Sequence, residues 1–359
     1  MGTPRLFTAE RTWSGLGQAN TNPVSEKETK SSNLIVDNFN HPWCFLVSFN
    51  KNFRGGGLNP MAKSVVELLT NPKVVGKKQV SPRGYFLEIY LPLVAQKAKA
   101  GQFVTFQATE ISPRQPLQIV DINPEKGTFS VLVEAYNRAT VELVELLEEG
   151  EEIFNIEGPN GTPFPVGKYG TVLLVGQGWG AGANYPIAKE LLSVQNEVYA
   201  ILAGGSRENI YCEEEYKTLL GEEKVFVYTE DDDYGKEGGV AQAVEEFIRD
   251  VKRPDLVVFA GSPVGGEEVA QITRDKGVKN FSLVASTMLC TSGLCLTCRV
   301  KVGDKMVLNC IEGPYLDGNS VDWKMVTFRN GYYWDLEKEG AEYFANKILP
   351  KLKRKKQKT

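Results

Sequence analysis

Four of the six cysteines fall within 21 residues, in the order Cys290-x4-Cys295-x2-Cys298-x11-Cys310. Six cysteines in 359 residues are too few for a disulfide scaffold. A tight group of four points to a metal instead. A C-x4-C-x2-C run with a more distant fourth Cys is the spacing by which four thiolates hold a 2Fe–2S cluster, two per iron. The loop must wrap the cluster with its amides aimed inward, and Gly293 lets the backbone bend and approach closely. Cys310 follows a hairpin-like stretch, 299–308, that turns at Gly303-Asp304. Zinc is the alternative; it usually takes two close pairs, and only Cys295 and Cys298 form one. Cys44 and Cys212 have no partner pattern, and Cys212 reads as a helix-face residue.

The single histidine is His41. This removes Ser-His-Asp hydrolases, His-ligated zinc enzymes and Rieske centres from the body of the chain. The net charge of −4 gives no reason to expect nucleic acid. No run of eighteen apolar residues and no secretory signal is present, so no membrane span and a cytoplasmic location are expected. Lys351, Lys353, Arg354, Lys355, Lys356 and Lys358 make a short basic tail.

Residues 1–60 are rich in Asn, Ser, Thr and Phe with no sustained period, and read as a leader that is disordered or not translated. Arg54-Gly55-Gly56-Gly57 is what a purine-rich ribosome-binding site would spell, and Met61 follows it as the expected start. Residues 61–166 carry short strands at Tyr85–Leu91, Phe103–Ala108, Leu117–Asp121 and Thr128–Glu134, with a helix near Thr140–Leu147, and predict a small barrel. Residues 167–285 alternate strands (Thr171–Val175, Glu197–Leu202, Lys224–Thr229, Leu256–Ala260, Phe281–Ala285) with helices, the first over Pro186–Leu192; this predicts a parallel sheet with covering helices. Residues 286–325 are the cysteine module, and 326–359 an extension with Tyr332, Tyr333, Trp334, Tyr343, Phe344 and the basic tail.

Gly176-Gln177-Gly178-Trp179-Gly180-Ala181-Gly182 lies between the strand Thr171–Val175 and a helix. Glycines there let a pyrophosphate reach free amides at a helix N-terminus. The alternative is a tight structural turn, and no ribose-binding acid stands at the usual distance.

Taken together, the barrel, the glycine loop and the cysteine run resemble the electron-transfer subunit of dihydroorotate dehydrogenase and the small subunit of NADH-dependent ferredoxin:NADP oxidoreductase. Both are ferredoxin–NADP reductase-like. The resemblance covers roughly 62–325. It implies a Greek-key FAD barrel, a Rossmann-like NAD(P) domain and a C-terminal 2Fe–2S module. The flavin segment would be Arg114-Gln115-Pro116-Leu117-Gln118-Ile119, with Arg114 on the FAD diphosphate and Gln118 where the family has a hydroxyl. Leu132, Val133, Glu134 and Thr140 would complete the flavin contacts. Gly176, Gly178 and Gly180 would take the nucleotide, with Ser206 and Arg207 at its adenosine end, as NAD(H) or NADP(H). The family's Cys-Gly-Pro is replaced here by Gly261-Ser262-Pro263. The segment Glu312–Gly318 with Val321-Asp322-Trp323 resembles the oxidoreductase small subunit more, whereas Cys290 as the first ligand matches the dihydroorotate branch.

The resemblance implies an electron relay with no catalytic side chain of its own. Electrons would pass between nucleotide, FAD, cluster and a larger partner, either a glutamate-synthase-like flavoprotein or a dihydroorotate dehydrogenase catalytic subunit. A hydrogenase or sulfite-reductase flavin subunit is a variant of this. A zinc-stabilised scaffold is the alternative of another class.

Overall fold

The structure of the chain, a computed structural model, describes residues 71–356 except 232 and 333. The leader, the expected start at Met61, His41 and Cys44 lie outside the described residues.

The first sheet holds β1 (Lys73–Gln79), β2 (Gly84–Tyr90), β3 (Phe103–Gln107), β4 (Gln115–Asn123), β5 (Thr128–Glu134) and β6 (Asn155–Asn160), in the order β1-β2-β5-β4-β3-β6. Strands β3, β4 and β5 are successive neighbours and β6 returns beside β3, a Greek-key order. Val74 N donates to Glu151 O and Ile153 N to Pro72 O, so β1 meets the segment leading into β6. The period of two sorts the faces. Leu87, Ile89, Val104, Phe106, Val131 and Val133 point into one apolar core. Phe103 and Thr105 therefore point the other way, toward the cysteine module. Two helices interrupt the strands, α1 (Pro92–Lys97) and α2 (Arg138–Leu146).

The second sheet contains β7 (Thr171–Gln177), β8 (Glu197–Gly204), β9 (Val225–Thr229), β10 (Lys236–Glu237), β11 (Leu256–Ala260) and β12 (Lys279–Leu283), all parallel. Helices α3 (Gly180–Ser193), α4 (Glu213–Leu220), α5 (Val240–Glu246) and α6 (Pro263–Asp275) cover it. Residues 256–260 of β11 are fully buried, as a strand covered on both faces requires. Helix α3 starts six residues before the expected Pro186 and carries that proline inside it. The glycines that weaken helix propensity here are what allow its first turn to press on β11, and tertiary packing prevails.

The cysteine module adds the hairpin β13 (Arg299–Val302) and β14 (Lys305–Leu308), then the short helix α7 (Asn309–Glu312). Strand β15 (Tyr315–Asp317) then joins the second sheet antiparallel to β12, giving the order β10-β9-β8-β7-β11-β12-β15. The buried hydroxyl of Tyr315 donates to Asn184 Oδ1 at 2.9 Å, and Asn184 Nδ2 donates to the carbonyls of Val175 and Val258. One side chain thus ties α3, β7 and β11 to the module. The two sheets also share a core: Val120 and Leu132 of the barrel pack with Val172, Leu174 and Ile187.

Helix α8 (Trp323–Gly331) follows, then α9 (Trp334–Tyr343) and α10 (Leu349–Lys356). Helix α8 packs on α6 and the β13–β14 hairpin through Trp323 and Val326, and the end of the chain lies on α2. Phe344 is 2% exposed and carries the Arg138 guanidinium 5.2 Å above its ring, and Lys353 pairs with Glu145. The terminal aromatics therefore split: Phe344 covers the chain's own core, while Tyr332 and Tyr343 face outward. Among the described residues, no helix is long and apolar enough to cross a membrane.

Candidate functional site: a cysteine loop docked on the barrel

Between β12 and β13 the chain is irregular. Thr291, Gly293 and Leu296 have φ of 51°, 79° and 56°, three left-handed turns in six residues. That winding aims amides at sulfur: Cys295 N donates to Cys290 Sγ at 3.3 Å, and Cys310 N to Cys298 Sγ at 3.4 Å. Cys298 and Cys310 are buried, Cys290 is half-buried and Cys295 exposed. Phe103, Met288, Leu308 and Ile311 make an apolar shell around the inner pair. The Cys298 thiol falls to about 6 because Cys310 hydrogen-bonds to it, and Cys310, the donor, rises. Burial pushes Cys290 up, but hydrogen bonds from Cys295 and Ser292 outweigh it and bring it to about 6. Low-pKa thiols are ready thiolate ligands for a soft metal centre. Among the described residues, no three Cys, His, Asp or Glu groups converge on a single-ion position. The two N–H···S contacts link Cys290 with Cys295 and Cys298 with Cys310, within the C-x4-C-x2-C…C spacing by which thiolates hold a 2Fe–2S cluster.

Side chains hold this loop more than any ladder does. Three guanidiniums donate to its carbonyls: Arg114 to Cys290 O at 3.3 Å, Arg299 to Leu296 O at 3.0 Å, and Arg329 to Thr297 O at 2.7 Å. Thr105 on β3 donates to Thr291 Oγ1 at 3.1 Å. Buried Asn309 donates to Val284 O and Ser286 Oγ. A cavity of about 260 Å³ lies between Arg299, Arg329, Phe328 and Tyr332. Around the loop, Leu289, Leu294, Leu296 and Phe328 are exposed.

The expected flavin segment runs along β4, where Gln118, Leu117 and Pro116 pair with Phe103, Val104 and Thr105. Arg114 precedes the strand. Its Nε is buried with no partner. Asn137 and Thr140 form a capping box at the start of α2, and Asn137 Nδ2 donates to Gln115 Oε1 at 2.9 Å. Arg114 thus keeps one buried guanidinium N–H without an acceptor. A buried guanidinium N–H of this kind favours an anion, which is the fit a flavin diphosphate needs. The Thr140 hydroxyl is engaged by the amides of Tyr136 and Asn137. On β5 the residues alternate: Val133 points into the barrel core, Leu132 toward the second sheet, and Glu134 accepts from Tyr211.

The glycine loop joins β7 to α3. A Cβ on Gly180 would lie 1.9 Å from Ala260 O, so only glycine lets α3 sit against β11. Gly178 has φ of 56°, and a Cβ there would meet nothing within 4 Å; the crest is open. β8 and β11 flank β7 on opposite sides, so the loop stands at the topological switch point, where such sheets take ligands. Ser262, in the segment that stands where the family has Cys-Gly-Pro, is brought to the glycine loop by a contact that the sequence does not reveal. It caps α6 and donates to Gln177 Oε1 at 2.8 Å, placing its hydroxyl beside this loop; the Ser-Pro start of a helix is the available signal. Ser206 and Arg207 follow β8. Arg207 N donates to Asp233 Oδ1 at 3.0 Å, and its guanidinium stacks on Tyr234 at 4.7 Å.

Residues 285–322 match the iron–sulfur cluster binding domain of dihydroorotate dehydrogenase B. A dihydroorotate dehydrogenase B (NAD(+)) electron-transfer subunit homologue from Thermotoga maritima is 30% identical over 272 residues, which span 76% of this chain and 95% of that one. The corresponding electron-transfer subunit from Desulforamulus reducens is 25% identical over 70% of this chain and 97% of its own length. Among solved structures, a chain of an NADH-dependent reduced ferredoxin–NADP oxidoreductase, described for flavin-based electron bifurcation, superposes with a TM-score of 0.71 at 30% identity, covering 77% of this chain and 99% of that one. The chain belongs to the family of dihydroorotate dehydrogenase B electron-transfer subunits, oxidoreductase subunits of ferredoxin-reductase-like fold that combine FAD and pyridine nucleotide with an iron–sulfur cluster.

Proposed function

We propose that this chain relays electrons between NADH and a larger redox subunit in the cytoplasm, with a 2Fe–2S cluster on Cys290, Cys295, Cys298 and Cys310 as the exit point. The observation that carries it is the docking of the cysteine loop on the flavin segment, through Arg114 and through Thr105 to Thr291. Residues 61–166 hold FAD, 167–285 the nucleotide and 286–325 the cluster, while 326–359 brace the cluster loop through Arg329 and the barrel through Phe344 and Lys353. When bound, FAD exchanges a two-electron hydride step for single-electron steps and the cluster carries those onward.

The chain's own residues position and tune. Arg114 and the start of α2 would take the flavin diphosphate, and Pro116, Leu117, Gln118, Leu132, Val133 and Glu134 would hold the rest of the flavin. Gly176, Gly178 and Gly180 would take the nucleotide pyrophosphate. Ser206 and Arg207 hold the adenosine end. Asp233 stands against the Arg207 amide, and a carboxylate there repels a 2′-phosphate, which favours NADH over NADPH. The partner is a glutamate-synthase-like flavoprotein, a reading supported by the likeness to the ferredoxin–NADP oxidoreductase chain. A dihydroorotate dehydrogenase catalytic subunit is the other outcome.

An anaerobic visible spectrum titrated with NADH and then NADPH tests this. Flavin and cluster bands that bleach with NADH first are expected. A colourless chain with bound zinc would overturn the relay, and bleaching by NADPH alone would overturn the nucleotide assignment. Mass spectrometry of the native complex identifies the partner.

A further inference from the structure

The guanidinium of Arg114 has two faces in different surroundings. One Nη pairs with Glu157 on β6 and also reaches Cys290 O at 3.3 Å and Thr291 Oγ1 at 3.4 Å. The Nε–H points elsewhere, buried and without an acceptor. Glu157 is steadied in turn by Asn155 Nδ2 at 3.2 Å. Thr291, in its left-handed turn, donates to Cys290 O at 2.8 Å and accepts from Thr105, which also accepts from Asn160. A polar chain thus runs from β6 and β3 of the barrel to the carbonyl of the first cysteine of the cluster loop. Arg299 holds the same loop from within its own module and Arg329 from α8; among the described residues Arg114 is the guanidinium that reaches it from the barrel.

We propose that Arg114 is a positioning residue shared by both redox sites, its Nη side setting the cluster loop and its Nε side left for the flavin, and that Glu157 fixes that division. This rests on the relay described above. The geometry gives Glu157 a role separate from flavin binding: its carboxylate pairs with the Nη group on the cluster side. The charges then act in opposite directions. Reduction adds one negative charge to a cluster, so a nearby cation eases it and a nearby carboxylate opposes it. Arg114 and Glu157 are each about one-third exposed (34% and 33%), so water screens them, and the effect is a shift and not a loss.

The test uses the full chain, purified anaerobically, with FAD content, cluster absorbance and the cluster midpoint potential measured under excess FAD. Glu157→Gln keeps FAD and cluster and moves the potential to more positive values. Arg114→Met weakens FAD retention about tenfold or more, as loss of a charge-assisted hydrogen bond to phosphate implies, and moves the potential to more negative values. Arg114→Lys keeps the charge and restores most of the potential while FAD retention stays low, because the planar fork is gone. Potentials that do not move in any variant would overturn the proposal, as would shifts of the same sign in Glu157→Gln and Arg114→Met, which signal mere loosening. If Arg114→Met does not fold, Glu157→Gln and Arg114→Lys decide between the same outcomes. A wild-type chain lacking flavin and cluster bands would overturn the relay itself and this proposal with it; bands present with unmoved potentials would overturn this proposal alone.

Discussion

The glycine loop and the cysteine loop both need backbone in unusual conformations close to a cofactor, yet they are held in opposite ways. The glycine loop is carried by a parallel ladder and a dry core. β11 beside it is buried end to end, and α3 rests on β11 through a glycine that no other residue can replace. The cysteine loop has no ladder between 289 and 298. It stands on single hydrogen bonds from Arg114, Arg299, Arg329 and Thr105, each typically worth about 1 kcal/mol. A packed loop should fail together with its domain. A pinned loop should lose its cofactor while the domain stays folded.

Gly180→Ala is the strongest test. The added Cβ falls 1.9 Å from Ala260 O, and backbone cannot yield as a side-chain end does, so we expect destabilisation of about 4 kcal/mol or more, read as a large fall in the urea midpoint. A variant of normal stability would show that α3 is free to shift and would remove the contrast. Tyr315→Phe should cost about 1–3 kcal/mol, because it leaves Asn184 Oδ1 buried without its donor; since this bond joins the two regions, cluster content and nucleotide affinity should fall together. Arg329→Ala should lower stability by only about 1 kcal/mol while lowering iron per chain, measured after anaerobic purification; unchanged iron would mean that the loop is not pinned from α8. Glu197→Gln should have the smallest effect. The Lys252 hydrogen bond, with help from Tyr199, brings the Glu197 carboxyl to about 2 from 4.5. A depressed folded value stabilises above 4.5, and that contribution fades as pH falls from 4.5 to 2. Glu197 is partly exposed, so the contribution is small. The variant should flatten the acid limb of stability between those values without altering cluster absorbance.

The contrast also governs what can be read from the sequence. The strand–helix alternation of the second sheet is legible because a doubly covered strand is apolar throughout, as at 256–260. The cysteine spacing is legible because ligand geometry demands it. Strand β1 escapes notice: Lys73–Gln79 is half polar and lies at the sheet edge. β6 is hidden by Gly158-Pro159, and β15 by being three residues long. Helix α2, expected from near Thr140, begins at Arg138, capped by Asn137, a residue type that signals such a cap. Contacts such as Arg114 to Glu157 or to Cys290 join residues 43 and 176 positions apart, and no periodicity encodes them. Single-hydrogen-bond pinning leaves no pattern in one dimension.

Strand β15 has a further consequence. By giving its strand to the edge of the nucleotide sheet and its tyrosine to α3, the cysteine module gives up the freedom of a tethered carrier. A carrier on a linker can collect charge at one place and discharge it at another by swinging. This one is a fixed terminal. The gap between the flavin segment and the cysteine loop is set at folding and cannot be shortened on demand, so the partner must come to the terminal in one orientation. Delivery is then governed by how long that partner stays, and any mutation that loosens the β12–β15 pairing should act as a change in wiring distance before it acts as a change in stability.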